Sequence, residues 1–317
     1  MNPIGSVFPL STVISGPADD KVSLEITLSA TDARRGMFRD AIGRRQTASH
    51  ARRRVGDILM LAVLLATALA LPAATEVRRV PAEDARQGAV SDGRHLYAVD
   101  NAAISKIDPA SGRVIARWQG DKAAFKHMNA CIALKDRLVC AASNYPDVPM
   151  ASSIEWFDTR AMKHVASRSL GPGRGSLTWL DWHGGSWWAC FANYDGKGGE
   201  PGRDHRLTTL VRFDRNFAEQ GAWLFPPEVL DRMAPYSSSG GAWGADGRLY
   251  VTGHDRPELY VVALPEAGSI LRHVATIPIP TNGQAIAWDP KDRRLLWSIE
   301  RKARELVASR IPDVVEK

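Results

Sequence analysis

From residue 86 onward the chain repeats one unit: a short apolar run, a tight polar turn, and a second apolar run. Helical spacing of apolar residues is nearly absent there, and alternating or short continuous apolar runs are the mark of strands. The turns are Asp92-Gly93, Lys135-Asp136, Gly184-Gly185, Asp246-Gly247 and a longer Pro290-Lys291-Asp292. Asp-Gly between apolar runs is a strong hairpin signal, because both positions tolerate the positive φ of a two-residue hairpin turn. The strands that follow align at 95–99, 137–141, 186–190, 248–252 and 294–298. Between Leu96, Leu138, Trp187, Leu249 and Leu295 the steps are 42, 49, 62 and 46 residues. A four-stranded propeller blade repeats at roughly 40–50 residues. An insertion over 195–205 and a short helix expected at Pro227–Met233 lengthen the third step.

Third and fourth strands are expected at 104–107 and 114–118, at 154–157 and 164–170, at 207–213 and 222–225, and at 259–264 and 271–277. The fifth repeat has 305–310 and then lacks a strand, while 76–80 is spare at the start. Pairing the spare strand with the last one closes a ring and removes the exposed sheet edge. The expectation is therefore all-β: a five-bladed β-propeller over 76–317, closed by its N-terminal strand, with a β-sandwich as the alternative.

Upstream, Arg52-Arg53-Arg54 precedes a 14-residue apolar run over 58–71, and small residues continue through Ala74. A basic start, an apolar centre and a small-residue cleavage zone make a secretory signal peptide over 52–75. The run is shorter than the about 20 residues of a membrane helix, so no permanent span is expected. No Cys lies near the cleavage zone to take a lipid. Cleavage is expected after Ala70 or a few residues later, and the mature chain is expected in the periplasm or outside the cell. Residues 1–51 are an unusual prelude to a signal peptide. They read as a non-native or disordered extension, with Met37 a later candidate start.

The whole-chain charge of +6 invites a nucleic-acid reading, and its distribution argues against one. Residues 1–75 carry 9 of the 41 Lys and Arg and 6 of the 35 Asp and Glu, which leaves 32 against 29 in the propeller. That small surplus is no footprint for a phosphate backbone. The expected partner is a small-molecule ligand or another protein, and the chain is expected to be a monomer.

With Lys135-Asp136 as the turn, Leu134 faces Arg137 and, counting outward, Cys131 faces Cys140. This is a non-hydrogen-bonded pair with Cα atoms about 4.5 Å apart, at the short end of disulfide geometry. Export favours the bond, and two touching thiols in the core are the alternative. Cys190 is one position out of phase with Cys140 and is expected as a buried free thiol.

In a propeller, the loops after each second strand and before each first strand open on one face around the axis. After the second strands come Asp100-Asn101, Asn144-Tyr145, Asn193-Tyr194-Asp195, His254-Asp255-Arg256 and Glu300-Arg301. Before the first strands come Arg86-Gln87, His127 with Asn129, Arg174 with Ser176, Ser237-Ser238-Ser239, and Asn282 with Gln284. Asn and Asp at strand ends are ordinary turn formers, yet turn chemistry does not require the Tyr that follows Asn at both 144–145 and 193–194. The expected ligand-binding residues are Asn144, Tyr145, Asn193, Tyr194, Asp195, Asp255, Gln284 and Arg301. His254 and His127 are candidate general bases near neutral pH. Arg174, Arg256 and Arg301 are candidates to hold a carboxylate with a planar fork. No Gly-x-Ser-x-Gly elbow, His-Glu-x-x-His pair, paired CxxC or phosphate loop occurs. The stretch 195–199 reads as a flexible hairpin tip. Most of the ten Trp fall on strands, where packing between blades accounts for them, with sugar stacking by Trp182 as an alternative.

Tyr250-Val251-Thr252-Gly253 resembles the Tyr-Val-Thr-Asn propeller repeat, and Ile107-Asp108-Pro109-Ala110-Ser111-Gly112-Arg113 leading to Trp118 resembles the quinoprotein-type repeat. Gly173-Arg174-Gly175-Ser176-Leu177-Thr178-Trp179, Phe191-Ala192-Asn193-Tyr194-Asp195 and Gly253-His254-Asp255-Arg256-Pro257 are similar to exported bacterial propellers labelled cycloisomerase. The resemblance implies action on a small carboxylate or lactone. By residue type, a mouth holding Asp100, Asn144, Asn193 and Glu300 resembles the oxygen-ligand sets of gluconolactonase-like propellers, which implies Ca²⁺ or Mg²⁺. Two functions are carried forward: a lactonase- or cycloisomerase-like enzyme, and a non-catalytic binding module.

Overall fold

The computed structural model describes residues 73–314, so the expected signal peptide and the segment 1–51 lie outside the described residues apart from the last three positions. Twenty strands form five antiparallel sheets of four. Blade 1 is β2 (Gly88–Ser91), β3 (Leu96–Asp100), β4 (Ala103–Ile107) and β5 (Val114–Gln119). Blade 2 is β6 (His127–Leu134), β7 (Arg137–Ser143), β8 (Ala151–Asp158) and β9 (Lys163–Pro172). Blade 3 is β10 (Ser176–His183), β11 (Ser186–Ala192), β12 (Thr209–Phe213) and β13 (Glu219–Leu224). Blade 4 is β14 (Gly240–Trp243), β15 (Leu249–Thr252), β16 (Glu258–Ala263) and β17 (Arg272–Pro278). Blade 5 takes β18 (Ala287–Asp289), β19 (Asp292–Glu300) and β20 (Glu305–Arg310) from the end of the described residues, and β1 (Thr75–Pro81) from their start. The helix α1 (Pro227–Met233) lies between blades 3 and 4 in sequence.

The blades close into a ring, a five-bladed β-propeller. β1 pairs antiparallel with β20, Val80 opposite Leu306 and Arg79 opposite Val307, so the outermost strand of the last blade is the first strand of the described residues. Five apolar clusters fill the five spaces between neighbouring blades. The one at the seam joins Leu96, Ala98 and Ile107 of blade 1 to Trp297, Ile299 and Leu306 of blade 5, with Val80 of β1. Full burial of each large side chain stabilises by about 1.5–3 kcal/mol, so apolar packing holds the seam as it does the other junctions.

The turns show why the repeat folds. Asp92 accepts the backbone N–H of Arg94 and His95 at 2.7 and 2.6 Å, and the hydroxyl of Tyr97 donates to its other oxygen at 2.7 Å. Asp246 does the same for Arg248 N–H and the Tyr250 hydroxyl, at 3.2 and 2.9 Å. The turn carboxylate thus fixes both the reversal and a core tyrosine of the next strand. In blade 3 the third strand starts at Thr209, two residues later than expected. Asp204 caps a 3₁₀ turn at His205–Leu207 by accepting Arg206 N–H, which takes Leu207 out of the strand. In blade 2 Cys131 pairs with Cys140 across the hairpin and their sulfurs are bonded, with Cα atoms 3.9 Å apart; Cys190 is buried and free. No helix among the described residues is long and apolar enough to cross a membrane.

Candidate functional site

The loops at the axis enclose a cavity of about 480 Å³, and every blade lines it. Gln87 and Asn101 come from blade 1, His127, Asn129 and Tyr145 from blade 2, and Thr178, Tyr194 and Lys197 from blade 3. Tyr236, Ser239 and His254 come from blade 4, Gln284 and Arg301 from blade 5. Counting from the hairpin turns therefore finds the mouth, because the loops after the second strands and before the first strands all end there. Three aromatic rings form one wall: Tyr145 lies 4.9 Å from the His127 ring and 5.3 Å from Tyr194.

The charge in this cavity has one sign. Lys126, Lys197 and Arg301 line it, and among the described residues no carboxylate does. Lys126 pairs with Asp147. Arg301 donates from Nη1 to Nε2 of His254 at 2.9 Å. An arginine is always protonated, so Nε2 is the unprotonated nitrogen. The proton sits on Nδ1, which donates to Asp255 Oδ1 at 2.5 Å. Burial holds the His254 pKa below its usual value; Asp255 works against that and the Arg301 charge adds to it. Tyr236 stacks on the same ring at 4.1 Å and 29°. His127 is pushed down to about 4, by burial first and then by Arg301, with Asn129 partly opposing. Both histidines are neutral beside a permanent cation.

Gln284 is 4% exposed, and its Nε2 has no partner among the described residues. Its backbone φ is +148°, a region costly for any residue but glycine. Close backbone approach holds it there. A Cβ on Gly283 would fall 1.9 Å from the Gly253 carbonyl oxygen, and one on Gly240 would fall 2.3 Å from the Gln284 carbonyl oxygen. A buried unpaired donor on strained backbone at a cavity wall is the kind of local cost that binding sites retain.

The structure brings His127, His254, Tyr145, Tyr194, Gln284 and Arg301 to the cavity, with Asp255 behind His254. Other expected residues lie elsewhere. Arg174 is exposed and pairs with Glu219 at 2.7 Å; Arg256 is exposed; neither lines the cavity. The expected cation set does not assemble at the mouth, since none of its four members lines the cavity. Asn144 closes its own loop, donating to Pro149 O and accepting from Ala151 N–H at 3.1 and 2.8 Å. Asn193 donates to Leu207 O at 2.9 Å, Asp100 lies 3.3 Å from Arg86, and Glu300 accepts Lys302 N–H at 3.2 Å. Asp195 accepts both the N–H and Nδ1 of His205 at 3.0 and 2.6 Å, so the insertion is anchored rather than a free hairpin tip. Lys126, Lys197, Tyr236 and Thr178 line the cavity without having been singled out in the sequence. Lys126 and Tyr236 sit one to three residues before groups that were (His127 and Ser239), and that adjacency was the available signal.

No protein-family model matches the sequence, and no curated protein matches it. Solved structures do resemble its fold. A luciferin-regenerating enzyme superposes with a TM-score of 0.51 at 10% identity, over 78% of this chain and 97% of that one. The PQQ-bound aldose sugar dehydrogenase of Streptomyces coelicolor gives 0.49 at 13% identity, over 78% and 84%. Virginiamycin B lyase of Staphylococcus aureus gives 0.41 at 14% identity, over 70% and 67%. Likeness at this level of identity concerns the fold alone, the β-propeller architecture.

Proposed function

We propose that the axial mouth binds a small ligand bearing a carboxylate, and that His254 acts on that ligand as a base, in chemistry of the lactonase or cycloisomerase kind. The observation that carries this reading is the cavity wall itself: Arg301, Lys126 and Lys197 with two neutral histidines and no lining carboxylate among the described residues. A guanidinium suits the ligand because its fork matches a carboxylate in two parallel hydrogen bonds. In lactone hydrolysis, Nε2 of His254 takes a proton from water as the water oxygen adds to the ring carbonyl. The ring C–O bond then breaks, and the departing alkoxide recovers a proton from the imidazolium, which gives the hydroxy acid. Asp255 at Nδ1 stabilises the imidazolium meanwhile. The Cys131–Cys140 bond supports export to the periplasm or beyond, where disulfides persist.

A binding module without turnover is the second reading, and one observation favours it: Arg301 occupies the lone pair that a base needs. Calorimetric titration of muconates and carboxylated lactones into the full chain, with and without EDTA, separates the readings when hydrolysis is followed in the same samples. Binding unaffected by EDTA is expected. Arg301→Gln should weaken it by about 1.5–3 kcal/mol, the worth of hydrogen bonds to a charged group. If no carboxylate binds in either arm, the proposal is wrong. Binding with no turnover leaves the module.

A further inference from the structure

We propose that Arg301 is a lock on His254 and that the ligand's own carboxylate is the key, so that the base is exposed only when the mouth is occupied. This rests on the reading of the mouth as a carboxylate site. The parts of a base are already in place. Asp255 fixes the tautomer from Nδ1 at 2.5 Å, and Tyr236 holds the ring plane by stacking at 4.1 Å. Only the reactive lone pair on Nε2 is covered, by Arg301 Nη1 at 2.9 Å.

The covering contact leaves most of Arg301 unused and its charge unpaired. Arg301 has five donors and spends one on a neutral imidazole, with no carboxylate paired to it among the described residues. A carboxylate offers the guanidinium an opposite charge and two parallel hydrogen bonds at once, where the neutral imidazole accepts one. A carboxylate entering the cavity therefore outcompetes Nε2 for Arg301. The exchange does three things together. It seats the ligand, frees the lone pair, and neutralises a charge that otherwise keeps both histidines less basic.

The arrangement also selects the substrate. Guanidinium and imidazole are in contact, so the group the base attacks must lie close to the carboxylate in the same molecule. A neutral ester or lactone without a carboxylate leaves the lock closed. The expected substrate class is a carboxylated lactone, or an acid with an acidic C–H near its carboxylate.

Carbethoxylation of His254 by diethyl pyrocarbonate, located by peptide mass spectrometry on the full chain, reads exposure of Nε2 directly. His164, held by Glu155 at 2.8 Å away from the mouth, is the internal standard. The probe is acetate, too small to shield the ring, against chloride at equal ionic strength. In the absence of acetate, Arg301→Gln should raise the His254 rate about five- to tenfold, the worth of one hydrogen bond. In the wild type, saturating acetate should produce a similar rise and chloride none, while His164 stays constant throughout. Equal His254 rates in wild type and Arg301→Gln overturn the lock whatever the mouth binds. Acetate that binds by calorimetry without raising the rate overturns the key. If Arg301→Gln frees His254 but no carboxylate binds, the proposed function falls together with the key, and the masking contact remains.

Discussion

His127 makes folding sensitive to acid. Its pKa is lowered from 6.5 to about 4 in the folded protein, chiefly by burial. Unfolded, the ring takes up a proton near pH 6.5, so between those values the unfolded chain binds more protons and stability falls as the pH drops. Across the whole window this amounts to about 3 kcal/mol. Urea titrations at pH 7.5 and pH 4 should show His127→Gln losing less stability on acidification than the wild type. The same loss in both would remove His127 as the cause. Gln284 carries a different cost, backbone strain, and Gln284→Gly should raise the unfolding free energy by about 1 kcal/mol while weakening carboxylate binding. Lower stability in urea would mean that the lost side-chain contacts outweigh the strain. At this scale the sequence is partly readable. Position relative to a turn brings His127, Tyr145, Tyr194, His254, Gln284 and Arg301 to the mouth. Residue type alone does not tell a side chain that faces a ligand from one that closes its own loop, as Asn144 does by accepting Ala151 N–H. Lys197 escapes a reading by pattern because it lies in an insertion whose path is set by side-chain contacts: Asp195 with His205 across its own ends, and Glu200 with Met150 N–H at 2.5 Å.

At the scale of elements the turns carry most of the information. Asp92 and Asp246 each bind their own turn and a tyrosine two strand positions on, so an Asp-Gly pair specifies the reversal and the register of the strand that follows. Register in turn puts Cys131 opposite Cys140, a pairing that follows from the Lys135-Asp136 turn by counting alone, helped by Lys135 adopting φ +56°. The pattern fails where a side chain competes with the strand for a backbone group. Asp204 captures Arg206 N–H and forms a 3₁₀ turn, although 207–213 reads as one strand. The closing strand was legible for an energetic reason: an unpaired edge on β20 would expose a row of N–H and C=O groups, and 76–80 was the one segment left to cover it.

At the scale of the molecule, the ring is what makes a site out of loops far apart in sequence, and the seam is its weak link in principle because no peptide bond joins β1 to β20 there. Arg301 follows β19 in blade 5, while Gln87 and Asn101 stand across the seam in blade 1, where Gln87 Nε2 donates to Asn101 Oδ1 at 2.9 Å. Loosening the seam should therefore move Arg301 relative to its neighbours without touching the cavity. Leu306, fully buried opposite Val80, is the residue to test. Leu306→Ala removes apolar contacts and leaves a void, which costs about 2–5 kcal/mol in a packed core. Urea titration should show that loss, and calorimetry on the remaining folded protein should show a several-fold weaker dissociation constant for acetate or muconate. If affinity is unchanged while stability falls, each loop holds its own side chain in place and closure serves the fold only. If both fall together, the geometry of the mouth is a property of the closed ring, and β1, which starts at Thr75, helps to aim an arginine that lies 226 positions later.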